Sequence, residues 1–550
     1  MSHITNNNRS AKPARLAMPF LLPLLLSPLF ALLALLAVFS PRPAHAAAPG
    51  ITGTTFNLNA ADSTITQPDG MNVYSWGYGC STAPSGFSPA GMPGAACSTM
   101  QVPGPTLIVH QGDRVTVTLT NNLPAAAGNT SILFPGFNVC TAVMNPDGSC
   151  PAATGVPGLM TREAAHGGSV TYSFIAATAG THSYYSGTQG DLQIEMGLYG
   201  AIIVLPTAVP AGCRAVAATL PDGQPDYRNA AAAYNHSTSC YDREYLFQFA
   251  EMDPRIHNQA QQQAALACTQ PTGCMTIETE PYHPAYFLIN GRSMPDDMDP
   301  NYAVQYPHQP YNGNPHMHPG ELVLLRVIGN GRWQHPFHEH GNHVRVLARD
   351  GNMILSQTDA TKPAGPLLFT TTTTPGLAMD GIFYWTGRGL NWDVYGHTAG
   401  ALYTDQAFPA YLGKPVVCIP DANGYYTADP LAPNYYEWCQ DHDKPLEAHA
   451  FGAVGSGGPV SLPDANILTN GMWYGGSAYL GPDATARAVG PTGSTPPSGT
   501  LANPPATESG FAFMWHSHNE REITTSNIFP GGMMMMMLVD PQAFLINEAN

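Results

Sequence analysis

Polar and apolar residues alternate along this chain in short runs separated by turn residues. Residues 107–120 read L-I-V-H-Q-G-D-R-V-T-V-T-L-T, which predicts two strands around a Gly112-Asp113 turn. The same alternation predicts strands at 200–205, 243–249, 321–328, 343–348 and 533–539. No long stretch keeps a helical period. The 55 glycines and 52 prolines exceed ordinary usage for 550 residues. Together these features predict an all-β protein of sandwich type, long enough for two or more domains.

A weak internal repeat points to duplication. P-T-L-I-V-H-Q-G-D-R (105–114) opens one unit, and H-M-H-P-G-E-L-V-L-L-R (316–326) takes the matching place in another. The first closes at G-A-I-I-V-L-P (200–206) and the second at M-M-L-V-D-P (536–541). The expected organisation is a leader over 1–46, a first domain over 47–206, an Ala-rich linker over 207–240 and a second domain over 241–545. The Gly/Pro/Ser/Asn-rich stretch at about 420–510 is read as an irregular insertion, too long for a simple loop.

The leader has the form of a signal peptide. Arg9, Lys12 and Arg15 precede an apolar stretch from Leu16 to Phe39, and Ala44-His45-Ala46 forms an A-x-A cleavage signature. A secreted or periplasmic location follows, with no membrane partner after cleavage. An uncleaved anchor is the alternative. Cleavage leaves 17 basic against 38 acidic residues, a net charge of −21, which argues against nucleic acid as a partner and favours cations. All ten cysteines lie beyond the leader, an even number that suits disulfides. Neighbours in sequence pair most conveniently: 80 with 97, 140 with 150, 213 with 240, 268 with 274, and 418 with 439.

Two strings carry the candidate chemistry, H-P-F-H-E-H-G-N-H (335–343) and W-H-S-H-N-E-R-E (515–522). Residues i and i+2 of a strand share a face, so His338/His340 and His516/His518 are each a two-nitrogen claw for a metal ion. His316-Met317-His318 repeats the spacing just before a strand, where a surface turn is the expected setting. The run Met533–Met537 offers soft sulfur, although Met is also an adaptable core filler and core packing is the favoured reading.

V-P-G-P-T-L-I-V-H-Q-G-D-R-V (102–115), G-L-Y-G-A-I-I-V (197–204), Y-F-L-I-N-G-R (286–292), H-P-F-H-E-H-G (335–341) and G-G-M-M (531–534) resemble segments of the multicopper oxidases. That resemblance implies cupredoxin-like Greek-key sandwiches and a copper cofactor. It matches His338, His340, His516 and His518 to ligands of a three-copper cluster. It also matches His335 to a ligand of the blue copper, and Met533 to that site's axial sulfur. Other positions depart from the family. Its first-domain H-W-H-G and Y-H-S-H fall on Leu133-Phe134-Pro135-Gly136 and Tyr184-Tyr185-Ser186-Gly187. Its blue-copper cysteine falls on Ser517, and that site's second histidine falls on Glu522.

A serine hydroxyl is a hard, weakly acidic substitute for a thiolate, so neither a blue site nor its covalent route to a cluster survives. The expected metal residues are therefore His335, His338, His340, His516 and His518, holding one or more copper ions, with Mn, Fe and Zn also open. Glu339, Glu520 and Glu522 lie close enough in sequence to build a mixed His/carboxylate site. Three readings result. One is a copper-binding protein of multicopper-oxidase type with altered or partner-dependent oxidoreductase chemistry, its partner a second copy or another cupredoxin protein. Another is a non-catalytic metal-binding or structural component of an extracellular assembly. The third is an Mn(II)/Fe(II) oxidase.

Overall fold

A computed structural model describes residues 48–216, 226, 228–318, 320–385, 476–480, 501–502, 510–539 and 546. The leader, Cys418 and Cys439, and nearly all of the 420–510 stretch lie outside these residues.

The described chain is all-β. Residues 107–120 do form two strands, Leu107–His110 and Arg114–Asn121, but they do not pair with each other. The Gly112-Asp113 turn instead carries the chain from one sheet to the other. Arg114–Asn121 joins a four-stranded sheet between Thr55–Thr66 and Ser169–Ile175. Leu107–His110 enters a five-stranded sheet beside Tyr199–Leu205. Along Arg114–Asn121, Val115, Val117 and Leu119 are buried and the threonines between them are partly exposed, as strand alternation requires. The buried alternates of both sheets share one core, including Trp76, Tyr78, Tyr172 and Tyr184.

Two seven-stranded sheets form the second sandwich. One runs in the order Tyr286–Ile289, Arg243–Met252, Leu322–Gly329, Ala378–Tyr384, Val344–Arg349, Asn352–Met353. The other runs His316–Met317, Met534–Val539, Gly510–Ser517, His335–Glu339, Thr370–Thr373. Phe247, Phe249, Phe337, Phe383, Phe513 and Trp515 pack between them. Arg326 is fully buried, with its Nε donating to Glu244 Oε2 (2.9 Å) and its Nη1 donating to Thr181 Oγ1 of the first sandwich (3.1 Å). Such a charge is tolerable inside only because it is paired and hydrogen-bonded.

Four disulfides close between the expected neighbours: Cys80–Cys97, Cys140–Cys150, Cys213–Cys240 and Cys268–Cys274. The longest helix among the described residues, Pro254–Gln263, is an element the periodicity argument did not predict. Asp253 accepts from the Arg255 N–H at 2.9 Å as an N-cap, and Pro254 occupies the first helical position. Its apolar face is short (Ile256 and Ala260), which is why no period stands out.

Candidate metal centre

The strands His335–Glu339 and Gly510–Ser517 are neighbours, and register brings their histidine strings together. His338 lies opposite His516, and Phe337 opposite Ser517. Directly paired residues project to the same face, so His338, His340, His516 and His518 meet on one side of the sheet. Ring centroids are 4.9 Å apart for His338–His340, 5.1 Å for His340–His516, 5.5 Å for His338–His516 and 4.7 Å for His338–His518. His338, His340 and His516 are buried, with ligand atoms within 4.8 Å of one another. His518 is exposed at the rim.

Their protonation suits a cation. Burial, then the neighbouring imidazoles, push the pKa of His338 down to about 4. Burial also lowers that of His516. At neutral pH both rings are therefore uncharged and carry a lone pair for a metal. His516 Nδ1–H donates to the Ser517 carbonyl at 2.6 Å, which leaves its Nε2 facing His340 Nε2 at 3.2 Å. His338 Nδ1 rests 2.7 Å from Thr370 Oγ1. These contacts fix ring orientation as outer contacts do at metal sites.

His335 is not brought into this group. It points through the sheet to a fully buried site where Nδ1 faces Glu522 Oε2 at 2.9 Å and Nε2 faces Glu251 Oε2 at 2.8 Å. Ser517 Oγ also donates to Glu522 Oε2. Burial lowers the pKa of His335, but the two carboxylates together outweigh it and raise the value to about 9. With both nitrogens protonated and engaged, His335 as it stands is a cation and not a ligand. Glu251, far away in sequence, went unseen by motif reading. Gly331 admits it, because a Cβ at that position would collide with the Glu251 carboxylate.

This ion network has a pH signature. A histidine whose pKa rises from 6.5 to about 9 on folding contributes stability that is complete below pH 6.5. That contribution, on the order of 3 kcal/mol, is lost as pH rises through 9. Urea unfolding between pH 6 and pH 10 should record the decline, and a flat profile would show that His335 is neutral.

The other candidates resolve by position. Glu339 lies between His338 and His340 in sequence and so faces the opposite side, beside Trp515. There it is fully buried, burial pushes its pKa well up, and Thr371 Oγ1 donates to it at 2.9 Å. Glu522 belongs to the His335 network. Of the three carboxylates, only Glu520 acts electrostatically on His516. His343 stacks on Phe369, with ring centroids 3.7 Å apart. The expected surface setting for His316 and His318 is overturned: both are buried, and His318 Nδ1 lies 3.3 Å from Glu321 Oε1 in a network with Arg243. In the first sandwich, the segments without histidine pair through a Leu133–Tyr185 bridge and supply no imidazole.

Residues 93–208 match the family model described as multicopper oxidase. Laccase abr2 of Aspergillus fumigatus is 36% identical over 106 residues, covering 19% of this chain and 16% of its own length. Laccase-1 of Emericella nidulans is 35% identical over 122 residues, covering 22% of this chain and 17% of its own. These matches thus span under a fifth of the length of either relative. A blue copper oxidase from Nitrosomonas europaea covers 88% of this chain and 85% of its own, at 15% identity and a TM-score of 0.43. Over residues 93–208 the first sandwich is thus similar to the multicopper oxidases, and the histidine strings of the second sandwich carry the same resemblance.

Proposed function

We propose that this chain is an exported copper-binding protein of multicopper-oxidase type whose oxidoreductase chemistry is altered or depends on a partner. The observation that carries this reading is the convergence of His338, His340 and His516, with ligand atoms within 4.8 Å. A site of buried imidazoles suits copper, and the likeness to multicopper oxidases favours it over the other metals imidazole accepts. When bound, copper supplies one-electron redox chemistry. The residues His338, His340, His516 and His518 hold and orient it, and the adjoining strands exclude water from three of them. A full three-copper cluster of the family uses eight imidazoles and the described residues bring four together, so we read the remainder as supplied by a second copy or another cupredoxin protein. Export is supported by the four disulfides, which persist in oxidising compartments. The mixed His/carboxylate alternative retains Glu520 alone of its three acids.

Copper loading of the full chain followed by dialysis, metal analysis and electron paramagnetic resonance tests the reading. Stoichiometric copper with nitrogen hyperfine structure is expected, and His340→Ala combined with His516→Ala should abolish it while the fold persists by circular dichroism. Wild-type protein that retains no copper, or a variant that retains as much, would overturn the proposal. Aerobic assays of the copper-loaded chain with a phenol, Mn(II) and Fe(II) separate an oxidase from a non-catalytic binder.

A further inference from the structure

The five consecutive methionines divide between two environments. Met533, Met535 and Met537 are buried in the core of the second sandwich with Phe513 and Trp515. Met534 and Met536 project from the other face, because side chains alternate along the strand Met534–Val539. That other face is the one the histidines occupy. Met534 is directly opposite His516, and Met536 directly opposite Met514. A single row therefore crosses four strands as Thr370, His338, His516 and Met534. Met514 lies two residues before His516 on the same strand, hence on the same face, and its carbonyl accepts from the His340 N–H at 3.4 Å.

Directly paired side chains start from Cβ atoms about 5 Å apart. Met534 is buried at 5% exposure, as is His516 opposite it, so its flexible thioether is screened from solvent on the face the histidines share. Thioether and imidazole together form a softer donor set than imidazole alone, and thioethers select Cu(I).

Resting on the copper reading above, we propose that this face is a mixed imidazole–thioether site for Cu(I), in which Met534 is a sulfur ligand beside His338, His340 and His516 and Met514 stands by as a second. Core packing thus accounts for the odd-numbered methionines of the run, and cuprous-ion binding for Met534. The thioether strengthens binding of Cu(I) relative to Cu(II), which prefers nitrogen and oxygen, while the imidazoles still accept the cupric ion.

Anaerobic titration of the full chain with Cu(I) against a chromophoric chelator, together with copper X-ray absorption, decides the matter. Wild-type protein should show copper–sulfur scattering. Met534→Leu, which conserves volume, should lose that scattering and bind Cu(I) roughly tenfold more weakly or worse, the scale on which metal sites respond to loss of a supporting group. Met535→Leu, on the core face, should leave Cu(I) affinity unchanged. Nitrogen-only scattering in the wild type would overturn the inference while leaving the copper site standing. Failure to bind Cu(I) at all would overturn it too, and absence of both oxidation states would remove the copper reading with it. Should Met534→Leu not fold, the wild-type scattering alone is decisive.

Discussion

Replacing His335 with alanine should destabilise the protein by about 3–5 kcal/mol at pH 7, the cost of removing one partner from a buried ion pair. The side chain has no exposure, and the acids on its two sides have almost none: Glu251 and Glu522 are 2% and 1% exposed. Each acid keeps other donors. The backbone N–H groups of Arg332 and Trp333 donate to Glu251 Oε1 at 2.6 and 2.9 Å, and Asn519 Nδ2 donates to Glu522 Oε1 at 2.9 Å. Those bonds orient the carboxylates but bring no full positive charge to offset them. Removing the imidazolium therefore leaves two buried anions facing one cavity. The network also ties together three parts of the second sandwich: the strand Arg243–Met252, the strand His335–Glu339 and the turn after Gly510–Ser517. Urea unfolding at pH 7 measures the loss. A loss below about 1 kcal/mol, the worth of an ordinary hydrogen bond, would mean that no charged network exists. Adding Glu522→Ala to His335→Ala should restore part of the stability, since the second change removes an anion the first left unpaired. The gap between wild type and His335→Ala should also narrow above pH 9, where the imidazolium itself deprotonates.

The sequence made some of this site readable for a simple reason. The period of a strand is two, so H-x-H pairs share a face wherever the strand lies, and antiparallel pairing then needs only adjacency to bring His338 against His516. The same arithmetic separates Glu339 from the cluster, because a residue between two same-face histidines must face away. Sequence proximity had suggested otherwise, and parity is the stronger rule. Parity likewise divides the methionine run, three to the core and two to the face the histidines share. Three features needed tertiary structure. Glu251 is far from its partner in sequence, so nothing local marks it as the counter-ion of His335. His316 and His318 lie in a turn-like context, yet the edge strand His316–Met317 pairs with Met534–Val539 and buries both. The turn at Gly112-Asp113 looks like a hairpin locally, but its two strands are drawn to opposite sheets by where their apolar faces find partners.

Ser517→Cys combined with Glu522→His should produce an intensely coloured copper site where the native chain has none. The four positions that resemblance assigns to a blue-copper site do converge in space. His335 Nδ1 and Ser517 Oγ both reach Glu522 Oε2. Met533 adjoins them, since the Ser517 N–H donates to its carbonyl at 2.9 Å and its own N–H donates to the Glu522 carbonyl at 2.8 Å. Glu251 already stands on the far nitrogen of His335, the arrangement in which a carboxylate holds a metal-binding imidazole in orientation. What the native site lacks is donor chemistry. Its hydroxyl is a poor ligand, and Glu522 helps to hold His335 protonated at neutral pH. Cysteine supplies a thiolate that copper itself deprotonates, and histidine supplies the second imidazole while removing one of the two anions that raise the pKa of His335. Neither single change suffices. Ser517→Cys alone leaves His335 charged, and Glu522→His alone leaves no sulfur to give charge-transfer absorption. Visible absorption and electron paramagnetic resonance after Cu(II) loading check the result. A strong sulfur-to-copper band should appear in the double variant only. A colourless double variant that nonetheless binds copper at this position would mean that the packing around Met533 and Phe337 no longer lets the four donors close on one ion.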